Sequence, residues 1–344
     1  IPASDNAKLR KAREAGMCIV EMAKAGRKPS DLITKEVLMN AIMFDMAVAG
    51  STNAVLHILS YAYELGIKLT LADFEKYAKE IPCINAVVPS GPYTVVDFHY
   101  AGGVMNVMKM LESKLYTDVP SMYGNTWADM LSRVKAQENK VIHSLEKPLF
   151  NEPGLKILRG NLSPNGAIVR PTAVYDEVKY MKGKAKVFEG DRPAFEAIMA
   201  GEIVPGDIIV IRYEGCKGAP GMKELMLSID ALIGLGLDKS VGLISDARFS
   251  GFNYGAIIGH VSPEAYDGGN IALVENGDEI VIDIPNGEVS MLVSEEELER
   301  RRAAWVCPPL KEEKGCLNIF AKMCRPAEEG GAMQPWDLDA KFHR

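Results

Sequence analysis

The sequence predicts an α/β protein in which a mostly helical part, residues 1–150, is followed by a β-rich part with helices, residues 151–344. Three observations lead there. Up to about residue 150, apolar residues recur at helical spacings of three and four. Beyond it, short apolar runs separated by Pro and Gly turns take over. The length of 344 residues allows two domains, each with its own core.

From the N-terminus, Ala7 to Ala25 places Leu9, Ala12, Ala15, Cys18, Ile19 and Met22 on one amphipathic face, ended by Gly26 and Pro29. Thr34 to Val48 is a second helix, apolar on most sides and therefore buried, with Met39, Met43 and Met46 read as core. Ser51-Thr52-Asn53 offers N-caps for a third helix over Ala54–Leu65. His57, one turn into it, reads as a core histidine. Further helices are expected from Leu69 to Ile81, Val104 to Leu111 and Thr126 to Ala136.

After residue 150, strand-like runs lie at 155–158, 166–169, 185–188, 208–211, 241–244 and 280–284, with helices at Asp191–Met199 and Lys223–Ile233. Asn286-Gly287 predicts a hairpin before Val289–Val293. The run from Glu295 to Arg302 reads as a solvated helix, acids first and bases last, as the helix dipole favours.

Two polar, glycine-punctuated loops follow apolar strands: Tyr213 to Glu224, and Ser245 to Gly251. Strand ends of this kind commonly carry ligand sites, so the two loops suggest one site. Ser250 lies on the second loop, where a side chain could meet a ligand, with a serine bonded to its own turn as the alternative. Arg248 suits either a substrate carboxylate or a pairing with Asp246. Glu224 falls three residues after Pro220-Gly221, which places it in the first turn of a helix. Gly215, Gly218 and Gly221 mark either close approach to a ligand or a plain turn, and the loop lacks the Gly-Lys-Ser/Thr ending of a P-loop. Ser51 and Asn53 could meet an anion at a helix N-terminus, or simply cap it.

Hydrophobic residues at 47% and charged residues at 25% argue against disorder. A net charge of −7 without a basic stripe argues against nucleic acid as a partner. Apolar runs are too short to span a membrane. The start Ile1-Pro2-Ala3-Ser4-Asp5 lacks the pattern of a signal peptide, and the absence of an initial Met suggests a fragment or a processed chain. Six scattered cysteines without CxxC pairs favour a reducing cytoplasm.

Three segments together resemble the dihydroxy-acid dehydratase/phosphogluconate dehydratase family. Ala49-Gly50-Ser51-Thr52-Asn53-Ala54 resembles its GGSTNA motif, and Gly160-Asn161-Leu162-Ser163-Pro164-Asn165-Gly166-Ala167 its GNLxPxGA motif. Asp246 to Gly251 with Gly259-His260-Val261-Ser262-Pro263 and Gly268-Gly269 resembles a further signature. The details look most like the dihydroxy-acid dehydratase branch. Cys216 stands where the family often has Pro and Ala247 where it has Gly. Phe252-Asn253 stands where it has a small pair, which enlarges the side chains beside Ser250.

The resemblance implies that residues 1–150 are the C-terminal portion of an N-terminal α/β domain, and that residues 151–344 form a barrel-like C-terminal domain. It implies a hydro-lyase that turns a 2,3-dihydroxy acid into a 2-keto acid, with a sugar-acid dehydratase or a silent fragment as alternatives. Ser250 would be the base, Glu224 a Mg2+ ligand, and Arg248, Ser51 and Asn53 substrate contacts. The other Mg2+ ligands and the cysteines of an iron–sulfur cluster would lie in a part of the family's chain that precedes Ile1. A homodimer is also implied.

Overall fold

The computed structural model describes residues 1–122 and 125–334. The last ten residues of the expected second domain therefore lie outside the described part. Two compact units form. One comprises Ile1–Ile157, Val169–Tyr175 and Gly251–Tyr254, the other Leu158–Ile168, Asp176–Ser250 and the described residues from Gly255 on.

The first unit is helical: α1 (Asn6–Lys24), α2 (Lys35–Val48), α3 (Thr52–Glu64), α4 (Leu71–Glu80), α5 (Val95–Tyr100), α6 (Gly103–Met110) and α7 (Trp127–Ser132). Capping sets the starts. Thr34, Ser51, Thr94 and Thr126 each accept a backbone N–H of the first turn of α2, α3, α5 and α7. The apolar α2 packs against α3, α4 and α6. Ile42, Met43, Met46, Val55, Leu59, Phe74 and Val107 are buried there, each worth about 1.5–3 kcal/mol against exposure. Met43 and Met46 of the methionine-rich helix are core, as expected, while Met39 is half-buried. By contrast α1 forms but buries none of its residues, and Leu9, Met17, Ile19 and Val20 stay exposed.

In the second unit an eight-stranded sheet runs in the order β1-β2-β8-β6-β4-β3-β9-β10. Its strands are β1 (Lys156–Leu158), β2 (Gly166–Val169), β3 (Tyr180–Phe188), β4 (Asp207–Ile211), β6 (Gly242–Ser245), β8 (Ile257–Ser262), β9 (Glu279–Asp283) and β10 (Glu288–Met291), while β5 (Glu224–Leu225) and β7 (Arg248–Phe249) pair only with each other. The central strands β3, β4, β6 and β8 are parallel, and β2, β9 and β10 join antiparallel. A bridge between Arg159 and Glu288 links the two ends of the order, which makes the domain a near-barrel. Such parallel strands need crossovers. These contain α8 (Asp191–Met199) and α9 (Leu227–Gly234), which bury Ala194, Ile198, Ile229 and Leu232 against Ile209, Ile211 and Leu243. Asp191 joins the two helices by accepting the Ser228 N–H at 3.0 Å and its hydroxyl at 2.6 Å.

The expected hairpin is present, with a loop of four residues between Asp283 and Glu288. Gly287 alone takes positive φ (75°), and Asn286 donates its N–H to Asp283 Oδ1. The acidic-then-basic run forms α10 (Glu295–Ala304), capped by Ser294, and α11 (Cys316–Met323) follows.

Asn161 of the Gly160–Ala167 motif is structural in this fold. Its side chain donates to the Met291 carbonyl and accepts the Met291 N–H, both at 2.8 Å. Met291 is buried, so Asn161→Ala leaves both backbone groups unpaired, at about 1–3 kcal/mol each. A urea midpoint lowered accordingly is the expected result, with unchanged far-UV circular dichroism.

Candidate active site

The strand-end loops of the second unit are held by two buried carboxylates. Asp246, which follows β6, accepts the N–H groups of Tyr213 and Glu214 after β4, and of Ala265 after β8, at 3.0–3.1 Å. Burial pushes its pKa up to about 6, against the three N–H donors that pull it down. Glu264 accepts the N–H groups of Lys217 and Gly218, each at 2.9 Å. Burial and the neighbouring Asp246 charge push Glu264 up to about 8. Two of the loop's glycines are explained without a ligand. A Cβ on Gly215 would come within 2.4 Å of Glu264 Oε2, and one on Gly218 within 2.7 Å of the Tyr213 carbonyl carbon.

With the loops so placed, β5 and β7 form a parallel ladder in which Glu224 is paired with Arg248 and Leu225 with Phe249. Leu225 and Phe249 are buried in the core under α8 and α9. Glu224 and Arg248 are half-buried, and burial alternates from Arg248 through Phe249 to the half-buried Ser250. The pleat therefore sets Glu224, Arg248 and Ser250 on the side away from that core. Arg248 is anchored by its own N–H to the Lys223 carbonyl (3.0 Å) and by Nε to the Met222 carbonyl (2.6 Å).

This corrects the expected position of Glu224. It lies on a strand, and α9 begins only at Leu227. The short pairing with β7 overrides the helix that the residues after Gly221 suggest. Asp246 is taken up by backbone N–H groups, so the pairing considered between Arg248 and Asp246 is not its role.

Ser51 and Asn53 belong to the first unit. Ser51 is the N-cap of α3, its hydroxyl accepting the Asn53 N–H at 3.2 Å. Thr52 is fully buried, with an Oγ1 that has no hydrogen-bond partner among the described residues. His57 is exposed, contrary to its reading as core. The 3.6-residue repeat of α3 turns position 57 away from Val55, Ile58 and Leu59.

Sequence reasoning missed a charged pair in the same unit. Arg170 and Asp45 are 3% and 6% exposed. The Arg170 guanidinium donates from Nη1 to the Gly251 carbonyl and from Nη2 to the Gly50 carbonyl. Burial raises Asp45 to about 7 and lowers Arg170 to about 10, each opposed by the other's charge. The signal was present: an acid within the apolar stretch of α2, well past its first turn, and an Arg closing the apolar run of β2.

Residues 1–130 match a family model described as Dihydroxy-acid/6-phosphogluconate dehydratase N-terminal, and residues 140–331 match its C-terminal counterpart. Among similar proteins, a dihydroxy-acid dehydratase of Clostridium novyi is 44% identical over 337 residues, 97% of this chain and 61% of that protein. One of Methanosarcina barkeri is 45% identical over 333 residues, 96% of this chain and 60% of that protein. One of Ignicoccus hospitalis is 44% identical over 336 residues, 97% and 61% respectively. The chain thus spans about 60% of the length of these relatives.

The family implies iron–sulfur and Mg2+ cofactors. Among the described residues, no three or more His, Cys, Asp or Glu side chains are grouped to hold a metal ion. Cys83, Cys216 and Cys324 are buried, and burial raises all three thiols, whereas a ligand must be a thiolate. A complete site for either cofactor does not fit these residues. The helical first part, the near-barrel that follows and the match of both family models show that this chain belongs to the dihydroxy-acid/6-phosphogluconate dehydratase family.

Proposed function

We propose that the full-length protein is a hydro-lyase that dehydrates a 2,3-dihydroxy carboxylic acid, such as 2,3-dihydroxyisovalerate, to the 2-keto acid in branched-chain amino acid biosynthesis. The observation that carries this reading is the β5–β7 ladder, which sets Glu224 beside Arg248 and Ser250 one residue beyond β7. Relatives at 44–45% identity that are named dihydroxy-acid dehydratases support the same choice.

In this reading Ser250 takes the proton from C2 of the substrate. The C2–H electron pair becomes the C2–C3 double bond, the C3–O bond breaks with its electron pair staying on oxygen, and the departing hydroxide takes the proton from Ser250 and leaves as water. The resulting enol tautomerises to the 2-keto acid. A serine hydroxyl is a weak base, so its alkoxide must be favoured by nearby positive charge, and Arg248 on the same side of the ladder supplies one such charge. The same guanidinium suits a substrate carboxylate. Ser51 and Asn53, at the N-terminus of α3, are further substrate contacts, where backbone N–H groups attract an anion.

Glu224 is one oxygen ligand for Mg2+, an ion that takes about six, so the remaining ligands lie elsewhere. The cysteines of the cluster come from outside residues 1–344. Residues 1–150 are then the end of the N-terminal domain, and residues 151–344 the C-terminal domain of a cytoplasmic homodimer. No helix among the described residues is long and apolar enough to cross a membrane.

The test is keto-acid formation by the purified full-length protein from 2,3-dihydroxyisovalerate and from aldonates, beside the 344 residues alone. Turnover of the dihydroxy acid by the full-length protein, and none by the 344 residues, is expected. Turnover of aldonates only would replace the reading with a sugar-acid dehydratase.

A further inference from the structure

We infer that Arg170 is a positioning residue of this dehydratase, its guanidinium fixing at once the chain that enters α3 and the peptide that follows Ser250. The inference rests on the function proposed above. Its basis is the geometry of one buried fork. Nη2 donates to the carbonyl of Gly50, directly before the α3 cap Ser51. Nη1 donates to the carbonyl of Gly251, directly after Ser250. One planar group therefore holds two carbonyls that are far apart in the sequence.

Stability alone gives a poor reason for such a residue. Arg170 is 3% exposed, and a buried charge is commonly no better than a well-packed apolar group of similar size. What arginine offers is a rigid fork of donors that lysine lacks. Its Nε has no hydrogen-bond partner among the described residues. The surrounding residues are shaped to admit the group. A Cβ on Gly50 would lie 1.8 Å from Asp45 Oδ1, and one on Gly251 would lie 3.2 Å from Arg170 Nη2. Asp45, whose Oδ2 also lacks a partner among the described residues, supplies a buried negative charge when ionised. It offsets part of the cost of burying the guanidinium.

Further anchors hold the same corner of α2 and α3. Asn85 Nδ2 donates to the Val48 carbonyl at 3.2 Å, and the Gly154 N–H to the Met46 carbonyl at 2.9 Å. Loss of Arg170 therefore frees the Gly50 and Gly251 carbonyls without melting the helices. The consequence falls on geometry: a displacement of about 1 Å at a reacting group can cost about 100-fold in rate.

The experiment compares wild type, Arg170→Lys and Arg170→Met in the full-length protein, by kcat and KM on 2,3-dihydroxyisovalerate and by amide hydrogen exchange. Arg170→Lys keeps the charge and loses the fork. For it, a 10- to 100-fold lower kcat is expected at a KM within about threefold and a nearly unchanged melting temperature. Faster exchange is expected in the peptides covering residues 49–54 and 249–254, and nowhere else. If Arg170→Met fails to fold, Arg170→Lys decides. Wild-type kcat and exchange in Arg170→Lys would overturn the inference, as would a lowered melting temperature with unchanged kcat. If the wild type itself turns over no dihydroxy acid, the functional reading fails, and the exchange pattern still decides whether Arg170 clamps both segments.

Discussion

Ser250→Ala in the full-length protein is expected to lower kcat on the dihydroxy acid by about 1,000-fold, within the usual range for a lost general base. KM should change little, because the proton transfer is felt in the transition state and not in the bound substrate. The fold should survive. Ser250 is half-buried at the end of a two-residue strand, and the neighbouring Phe249 carries the packing. Steady-state kinetics with a melting curve on the same sample checks all three points. A variant that retains more than a tenth of the wild-type kcat would remove Ser250 from the reaction.

Much of this arrangement was legible in the residues. The helix Asp191–Met199 and the strand Gly166–Val169 form with the expected ends, because their apolar pattern and their Gly and Pro boundaries agree. The strand Glu224–Leu225 was not legible. Two residues offer no period to read, and the pairing that makes them a strand comes from Arg248 and Phe249, more than twenty positions away. The strand Ile257–Ser262 escaped for another reason. It is buried on both faces and carries Gly259 and His260, so it shows no alternation. Asp246 lies on a loop that the sequence marks as part of a site, yet its carboxylate staples backbone N–H groups of three loop residues. Glu264, directly after the Gly259–Pro263 stretch of that signature, plays a like part. Signature residues of this kind hold the site together, and sequence alone does not separate them from those that act in it.

That stapling has a pH signature. The folded-state pKa values of Glu264 (about 8) and Asp246 (about 6) lie above their ordinary values, chiefly through burial. For acids raised in this way the stabilising contribution is complete below the unfolded-state pKa, near 4, and is lost as pH rises through the folded value. Asp45 in the helical unit, pushed up to about 7, acts in the same direction. Unfolding free energy should therefore fall between pH 5 and pH 9, with Glu264 responsible for on the order of 3 kcal/mol. Glu264→Gln keeps an oxygen for the Lys217 and Gly218 N–H groups and cannot ionise. It should lie close to wild type at pH 5, exceed it at pH 9, and have the flatter profile. Urea titrations of both proteins at several pH values test this. Parallel profiles would show that Glu264 does not titrate in that range.

In the proposed function this chain supplies the group that removes the proton at C2, on the loop that the two buried carboxylates hold. Its most direct test follows deuterium placed at C2 of 2,3-dihydroxyisovalerate, with the full-length wild type and with Ser250→Ala. The wild type is expected to release the label to solvent as keto acid forms, and Ser250→Ala to leave it on the substrate over the same interval. Release of the label by Ser250→Ala at the wild-type rate would rule Ser250 out as the base.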